Sequence, residues 1–282
     1  SIGIAFAEPG VDVDALLRNA DAAMYQAKAD GKGRHAVFDP SLVAAAAERL
    51  ALEGDLVHAL GRGEFALAYQ PIVALDTGAP VGAEALLRWR HPARGLVSPA
   101  RFVPLAEASG LIVEVGRWVL DEACRAAAAW PAPPGGAPLH VTVNVSGRQL
   151  VHPDLPAHVA GALAAAGLPP DRLTLEITES VLMHDTAATL AVLRALKALG
   201  VRLAVDDFGT GYSSLRYLQQ FPVDVLKIDK SFVDGIARGG PDAALARTIV
   251  ALGETLGLRT VAEGVEDAAQ AERLRAMGCG YG

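Results

Sequence analysis

The sequence predicts an α/β barrel with a small α+β piece in front of it. Three observations predict this. Strand-like and helix-like segments alternate over most of the chain with a period of about thirty residues, the length of a strand–helix unit in an α/β barrel. Six strand-like segments carry, toward their ends, a residue that can hold a metal or move a proton: Glu84 in PVGAEALLRW, Asn144 in LHVTVNVS, Glu176 in RLTLEITES, Asp206 and Asp207 in VRLAVDDFG, Lys227 in VDVLKIDKS and Glu263 in RTVAEGVED. Within these strands, polar and aliphatic residues separate onto opposite faces. Parallel strands of a barrel present their C-terminal ends at one mouth, so the polar residues are expected to converge there.

Residues 1–8, SIGIAFAE, alternate apolar and small side chains as a strand does. Residues 12–29 place Val13, Leu16, Leu17, Ala20, Ala23, Met24 and Ala27 at helical spacing. DGKGR reads as a turn and HAVFD as a short strand. Two strands and one helix cannot bury their own faces in water, so residues 1–40 read as the tail of another domain. Residues 41–62 form an Ala-rich helical connector, and the main domain runs over 63–282. Residues 65–75 and 80–89 are strands joined at Thr77 and Gly78. So short a link makes them antiparallel, and the first strand then opposes the parallel ones that follow.

Helices are expected over 99–108 and 114–129, ended by the breaker run PAPPGG at 131–136. Strands at 139–146, 173–179, 202–208, 223–229 and 259–265 then alternate with helices at 153–167, 186–199, from Ser213, at 241–257 and at 267–277. That alternation implies a parallel sheet with helices outside. A last strand is expected to begin at GCGYG, where the chain stops. The barrel is therefore expected to be unclosed, with exposed strand edges.

The chain has 282 residues, 51% hydrophobic and 20% charged, with a net charge of -7. That length holds one barrel and a little more. The acidic balance excludes generic binding to a nucleic-acid polymer, which needs a basic face. Cys124 and Cys279 make neither a disulfide framework nor a metal-ligand set, so a reduced, cytoplasmic compartment is expected. Nothing has the apolar length of a membrane helix, and nothing resembles a signal peptide. The chain reads as a fragment, whose parent has room for an upstream membrane or sensor region.

Strand parity sharpens the chemistry. Val141, Val143 and Val145 share one face while Thr142 and Asn144 share the other. Leu173, Leu175 and Ile177 oppose Thr174, Glu176 and Thr178, and Leu226 and Ile228 oppose Lys227 and Asp229. Glu84, Leu86 and Arg88 share a parity and are expected to face one cavity. A lone acid at a strand end is usually solvated or caps a helix, but six strands with matching parity are poorly explained that way. Buried charges need partners or a metal. Oxygen donors with few sulfur or imidazole candidates point to Mg²⁺ or Mn²⁺. Two such ions about 3.5–4 Å apart are a recurring device for phosphate-ester hydrolysis. The bland reading of Lys227 is a structural ion pair, and that of Arg88 a rim salt bridge. Thr178 and Tyr212 read as packing or loop residues.

From about Glu48 to Gly282 the motifs YQPIV, EALLRW, NVS, LEITES, DDFGTGYSSL, LKIDKSF and VAEGVE occur in order. Together they resemble the EAL domain, a cyclic-di-GMP phosphodiesterase family named for the triplet found here at Glu84-Ala85-Leu86. The resemblance implies a TIM-like (β/α)8 barrel with an antiparallel first strand, and opening of cyclic di-GMP to linear 5′-pGpG with two Mg²⁺ or Mn²⁺ ions. It further implies that Glu84, Asn144, Glu176 and Asp206 hold the first ion, Asp207 is shared with the second, and Glu263 is a further acid of the metal site. Lys227 matches the lysine that contacts the attacking water and the phosphate. Glu179 matches the glutamate that steadies the DDFGTG loop, through which a homodimer is expected. Gln70, Arg88 and Asp229 sit where the family touches guanine and phosphate groups. A family glutamine just beyond GCGYG falls past Gly282, which implies weakened activity.

Residues 1–40, with SIGIAFAE, ADAAMYQAKADGKGR and VFD, resemble the end of a GGDEF (diguanylate cyclase) domain without its cyclase motif, so no synthesis activity is assigned. The alternative from another functional class is a catalytically silent cyclic-di-GMP receptor, although silent members typically lose metal acids or the lysine. A Schiff-base role for Lys227 in an aldolase-like barrel is disfavoured, because surrounding acids hold the lysine protonated.

Overall fold

The computed structural model describes residues 1–7, 12–29, 33–133, 135–182, 186–210, 218–236 and 239–282. Tyr212 and the start of the helix expected from Ser213 lie outside the described residues. The chain divides into two compact units, Ser1–Arg62 and Gly63–Gly282.

In the first unit, β1 (Ile2–Ile4) pairs in parallel with β2 (His35–Val37), with α1 (Val13–Ala29) between them in sequence. Parallel pairing requires such a crossover. Of the strand expected over 1–8, residues 2–4 pair among the described residues, and Glu8 lies outside them. α2 (Pro40–Ala59) starts where Asp39 accepts a hydrogen bond from the Ser41 amide at 2.8 Å and Pro40 supplies a pre-set φ. Phe6, Val13 and Leu17 are 73%, 72% and 61% exposed.

In the second unit, β3 (Phe65–Val73) pairs antiparallel with β4 (Pro80–His91), and Gly78 turns the chain at φ +68°. β4 continues past the expected end and pairs antiparallel with β5 (Gly95–Val97), a strand the sequence pattern does not signal. The tight return is held by His91, whose Nδ1 accepts from the Ala93 and Arg94 amides, each at 3.1 Å. α3 (Pro99–Ser109) and α4 (Ile112–Ala128) lead to β6 (His140–Asn144). The one-turn α5 (Gly147–Leu150) begins at a capping box formed by Ser146 and Gln149. Then come α6 (Leu155–Ala166), β7 (Leu173–Thr178), a one-turn α7 (Glu179–Leu182), α8 (Thr186–Ala198) and β8 (Arg202–Phe208). β9 (Val225–Ile228), a short α9 (Lys230–Asp234), α10 (Pro241–Leu256), β10 (Arg259–Ala262) and α11 (Ala268–Ala276) complete the chain.

The sheet order is β10-β9-β8-β7-β6-β4-β3, and along that order every pairing between β4 and β10 is parallel. Val141, Val143, Leu173, Leu175, Leu203 and Leu226 are buried, as are Val115, Val119, Leu120 and Ala123 of α4. Each large aliphatic residue so buried contributes about 1.5–3 kcal/mol of transfer free energy. The sheet curls, and the open edge expected between β3 and β10 is bridged. Gly282 exchanges hydrogen bonds with Val73 (2.8 and 3.0 Å), the Leu75 amide donates to Gly280 (3.0 Å), and the Ala262 amide donates to Tyr281 (2.9 Å). Three residues suffice because each carries a donor and an acceptor that an edge strand leaves unused.

Candidate active site

The site forms where β6, β7, β8, β9 and β10 end, with Glu84 contributed from within β4. Register places its residues in a row: Gln70 opposite Glu84, Asn144 opposite Glu176, and Thr178 opposite Asp206. Lys227 comes from β9, and Glu263 follows the last residue of β10, because that strand stops three residues before its expected end at 265. Lys227 is 3% exposed and lies at the centre. Its Nζ is 2.8 Å from Glu176, 3.1 Å from Asp206 and 3.3 Å from Glu84, and it also pairs with Glu263. Asn144 donates to the other oxygen of Glu84 at 2.8 Å.

Asp206 and Asp207 are neighbours, so an unbroken strand would send their side chains to opposite faces. The β8–β9 register slips between Val205 and Phe208, and Asp207 takes a left-handed conformation with φ 52°. This bulge re-aims the second acid. One carboxylate oxygen each from Asp206, Asp207 and Glu263 then lies within 4.8 Å of the others.

Burial is the first cause of perturbed proton affinity here. It pushes Glu176 well above the usual carboxylate range against the opposing pull of Lys227. It raises Asp207, with Asp206 and Asp229 adding to the effect, and raises Glu263 to about 7. Burial also works against the Lys227 ammonium, but Glu176, Asp206, Glu84 and Glu263 outweigh it and hold the lysine protonated. Five acids around one cation leave an excess of negative charge. A donor set made only of oxygens with that excess fits a hard divalent ion.

A cleft of about 500 Å³ opens over these groups, lined by Gln70, Glu84, Asp206, Lys227, Lys230 and Glu263 among others. Arg88 lies on the same strand as Glu84, farther along, and Leu86 between them lines both this cleft and the neighbouring cavity. Four residues of strand carry Arg88 about 13 Å beyond Glu84. It lines an adjoining cavity of about 290 Å³ with Asn144 and Thr178, and it donates to the Leu87 carbonyl at 3.0 Å. Asp229 caps α9, accepting from the Ser231 amide at 3.0 Å. Buried Glu179 accepts from the Gly209 amide at 2.8 Å, and so holds the start of the loop that follows β8.

Lys230 is a cleft residue that the strand pattern misses. Its Nζ lies 2.6 Å from Asp234 and 2.8 Å from Glu266, and a Cβ on Gly264 would come within 2.5 Å of its stem. It thus clamps the turn that carries Glu263. The signal was available in the sequence as the i,i+4 pair Lys230 and Asp234.

The EAL domain family model matches residues 53–282. The chain belongs to the EAL domain family. Over 280 residues, 99% of this chain, it is 49% identical to the bifunctional diguanylate cyclase/cyclic di-GMP phosphodiesterase MucR of Pseudomonas aeruginosa. It is 41% identical over 280 residues to the cyclic di-GMP phosphodiesterase NbdA of the same organism. The chain spans 41% of the first relative's length and 36% of the second's. A solved c-di-GMP complex of the PaMucR phosphodiesterase superposes with a TM-score of 0.77 at 49% identity, covering 82% of this chain and 93% of that one. The EAL domain of Mycobacterium smegmatis DcpA gives 0.64 at 38% identity, covering 78% and 87%. The α/β fold with its curled sheet is thus that of solved EAL domains.

Proposed function

We propose that this EAL domain hydrolyses cyclic di-GMP to linear pGpG with two Mg²⁺ or Mn²⁺ ions. The observation that carries the reading is the arrangement of Glu84, Glu176, Asp206 and Glu263 around the buried Lys227, at the floor of a cleft large enough for a nucleotide. Glu84, Asn144, Glu176 and Asp206 are the residues suited to hold the first ion, with Asp207 shared with the second and Glu263 a further acid of the site. Bound divalent ions supply a water of lowered pKa and offset charge on the phosphoryl oxygens. In the reaction, water oxygen attacks one phosphorus, the P–O3′ bond breaks, the 3′ oxygen takes up a proton, and the phosphate stays on the 5′ carbon. Lys227, held protonated by its carboxylates, donates to an oxygen on which charge grows. Gln70, on the cleft wall, and Arg88 and Asp229, at its margins, are proposed ligand contacts. Glu179 is proposed to steady the loop at Gly209, through which a homodimer would form.

The similarity to MucR over 99% of this chain, with the exposed apolar residues of the first unit, supports reading residues 1–40 as the end of a GGDEF domain. The catalytic proposal is tested by incubating the chain with cyclic di-GMP and Mn²⁺ or Mg²⁺, alongside Glu84→Ala. Formation of pGpG, abolished by the substitution, is expected. Tight binding without turnover at any metal concentration would establish the receptor reading instead.

A further inference from the structure

At the opposite end of the sheet from the acids, where the parallel strands begin, positive charge gathers. Arg202 is the first residue of β8, Arg259 the first of β10, His140 the first of β6, and Arg172 immediately precedes β7. These four, with Tyr281 and Asp171, line a cavity of about 610 Å³. Register and shared lining turn His140, Arg202, Arg259 and Tyr281 toward the sheet axis as well, where they meet Ile72 and Thr174.

These guanidinium groups are not neutralised. Arg172 spends Nε on the Leu139 carbonyl (2.8 Å) and Nη2 on the Ala127 carbonyl (2.7 Å), both uncharged acceptors. The side chains of Arg202 and Arg259 make no hydrogen bond or ion pair among the described residues. Asp224, which immediately precedes β9, is committed elsewhere. Asp224 receives the Arg259 amide on its backbone carbonyl (2.9 Å), but its carboxylate takes Lys197 at 2.8 Å and the Leu203 amide at 2.8 Å. Asp171, at the rim, is exposed and enters no ion pair among the described residues. The positive field registers on His140. Burial first, then Arg202, Arg259 and Arg172, lower its pKa to about 4 despite a hydrogen bond to the Val81 backbone, so the imidazole is neutral at pH 7.

In a chain of net charge -7, convergent and unpaired arginines around a cavity of this size fit an anion that accepts from two planar forks at once. We propose that this cavity is a second ligand site, for a small molecule bearing a diphosphate group, gripped by Arg202, Arg259 and the free edge of Arg172. Tyr281 offers an aromatic face against which a nucleobase attached to that diphosphate can pack. The site is independent of the phosphodiesterase reading, since it uses none of the residues at the other mouth.

The test is isothermal titration of the full chain with inorganic diphosphate and, separately, with guanosine and adenosine diphosphates. EDTA is present throughout, so that no metal can recruit the anion to the acids. Saturable binding is expected, weakening as KCl is raised. Arg259→Ala and Arg202→Gln should each weaken binding at least tenfold, about 1.4 kcal/mol, while Arg148→Ala, on another face, leaves it unchanged. Melting curves establish that each variant is folded, and the exposed Arg259 carries the case if Arg202→Gln is not. Equal affinity for inorganic and nucleoside diphosphates identifies the phosphates as the ligand. Tighter nucleotide binding that is lost in Tyr281→Ala adds the base. Absence of binding at millimolar concentration overturns the proposal, as does binding indifferent to both arginine substitutions or binding competed by cyclic di-GMP.

Discussion

Removing the ammonium of Lys227 would leave Glu84, Glu176, Asp206 and Glu263 facing one another with no compensating charge. Lys227→Met therefore has two expected effects. Hydrolysis of cyclic di-GMP falls by roughly 100-fold or more, the range for losing one preorganised charge donor. In EDTA the melting temperature also falls, and saturating Mn²⁺ restores most of it; a variant as stable as the parent in EDTA would contradict this electrostatic account. The acids themselves make a pH prediction. A carboxyl that binds its proton more tightly in the folded chain contributes stability that is complete below its unfolded value of 4.5. That stability is lost as pH rises through the folded value, about 7 for Glu263. Glu176 and Asp207 shift in the same direction. The metal-free protein should thus become less stable between about pH 5 and pH 8, by on the order of 2 kcal/mol. Urea unfolding in EDTA across that range measures it, and a flat or rising curve would refute it.

At the scale of elements, the bulge in β8 and the turn after β10 are the two devices that complete the cluster. Asp207 tolerates φ 52° because a short side chain of the Asx type visits the left-handed region at modest cost. Asp207→Asn should keep the protein's stability within about 0.5 kcal/mol, whereas Asp207→Val should lose about 1–3 kcal/mol, because a β-branched residue is strained there. Chemical denaturation of the two variants decides this, and equal stabilities would show that the backbone does not hold the bulge. Lys230 ties the turn bearing Glu263 to α9 through two exposed ion pairs, which solvent screens, so each adds little to stability. Lys230→Ala is accordingly expected to leave the melting temperature nearly unchanged while weakening Mn²⁺ binding several-fold, read by titration calorimetry. These are also the elements least legible in the sequence. Parity places Glu84, Glu176 and Lys227 on one face because their strands are regular. It is silent on Asp207, whose direction depends on a register slip between two strands. Parity likewise gives the face of Arg88 but not its depth along a twelve-residue strand.

Across the whole molecule, the alternation of strands and helices was legible because apolar periodicity follows directly from which face is buried. The one-turn helices α5, α7 and α9 were not legible, because a single turn has no periodicity to detect. A strand starting at GCGYG was legible, but not that residues 280–282 reach both β3 and β10, because that pairing is a matter of backbone alone. Removing those three residues should unpair hydrogen bonds on both β3 and β10 and lower stability by about 2 kcal/mol or more, visible as an earlier urea midpoint; an unmoved midpoint would mean the bridge carries no load. The central lysine has a consequence on the same scale. Strands that never touch in the sheet, β4, β7 and β9, are fastened to the residue after β10 through one ammonium ion. The acid cluster thus carries its own internal counter-charge, and the strands that bear it are held together by the chain's own atoms.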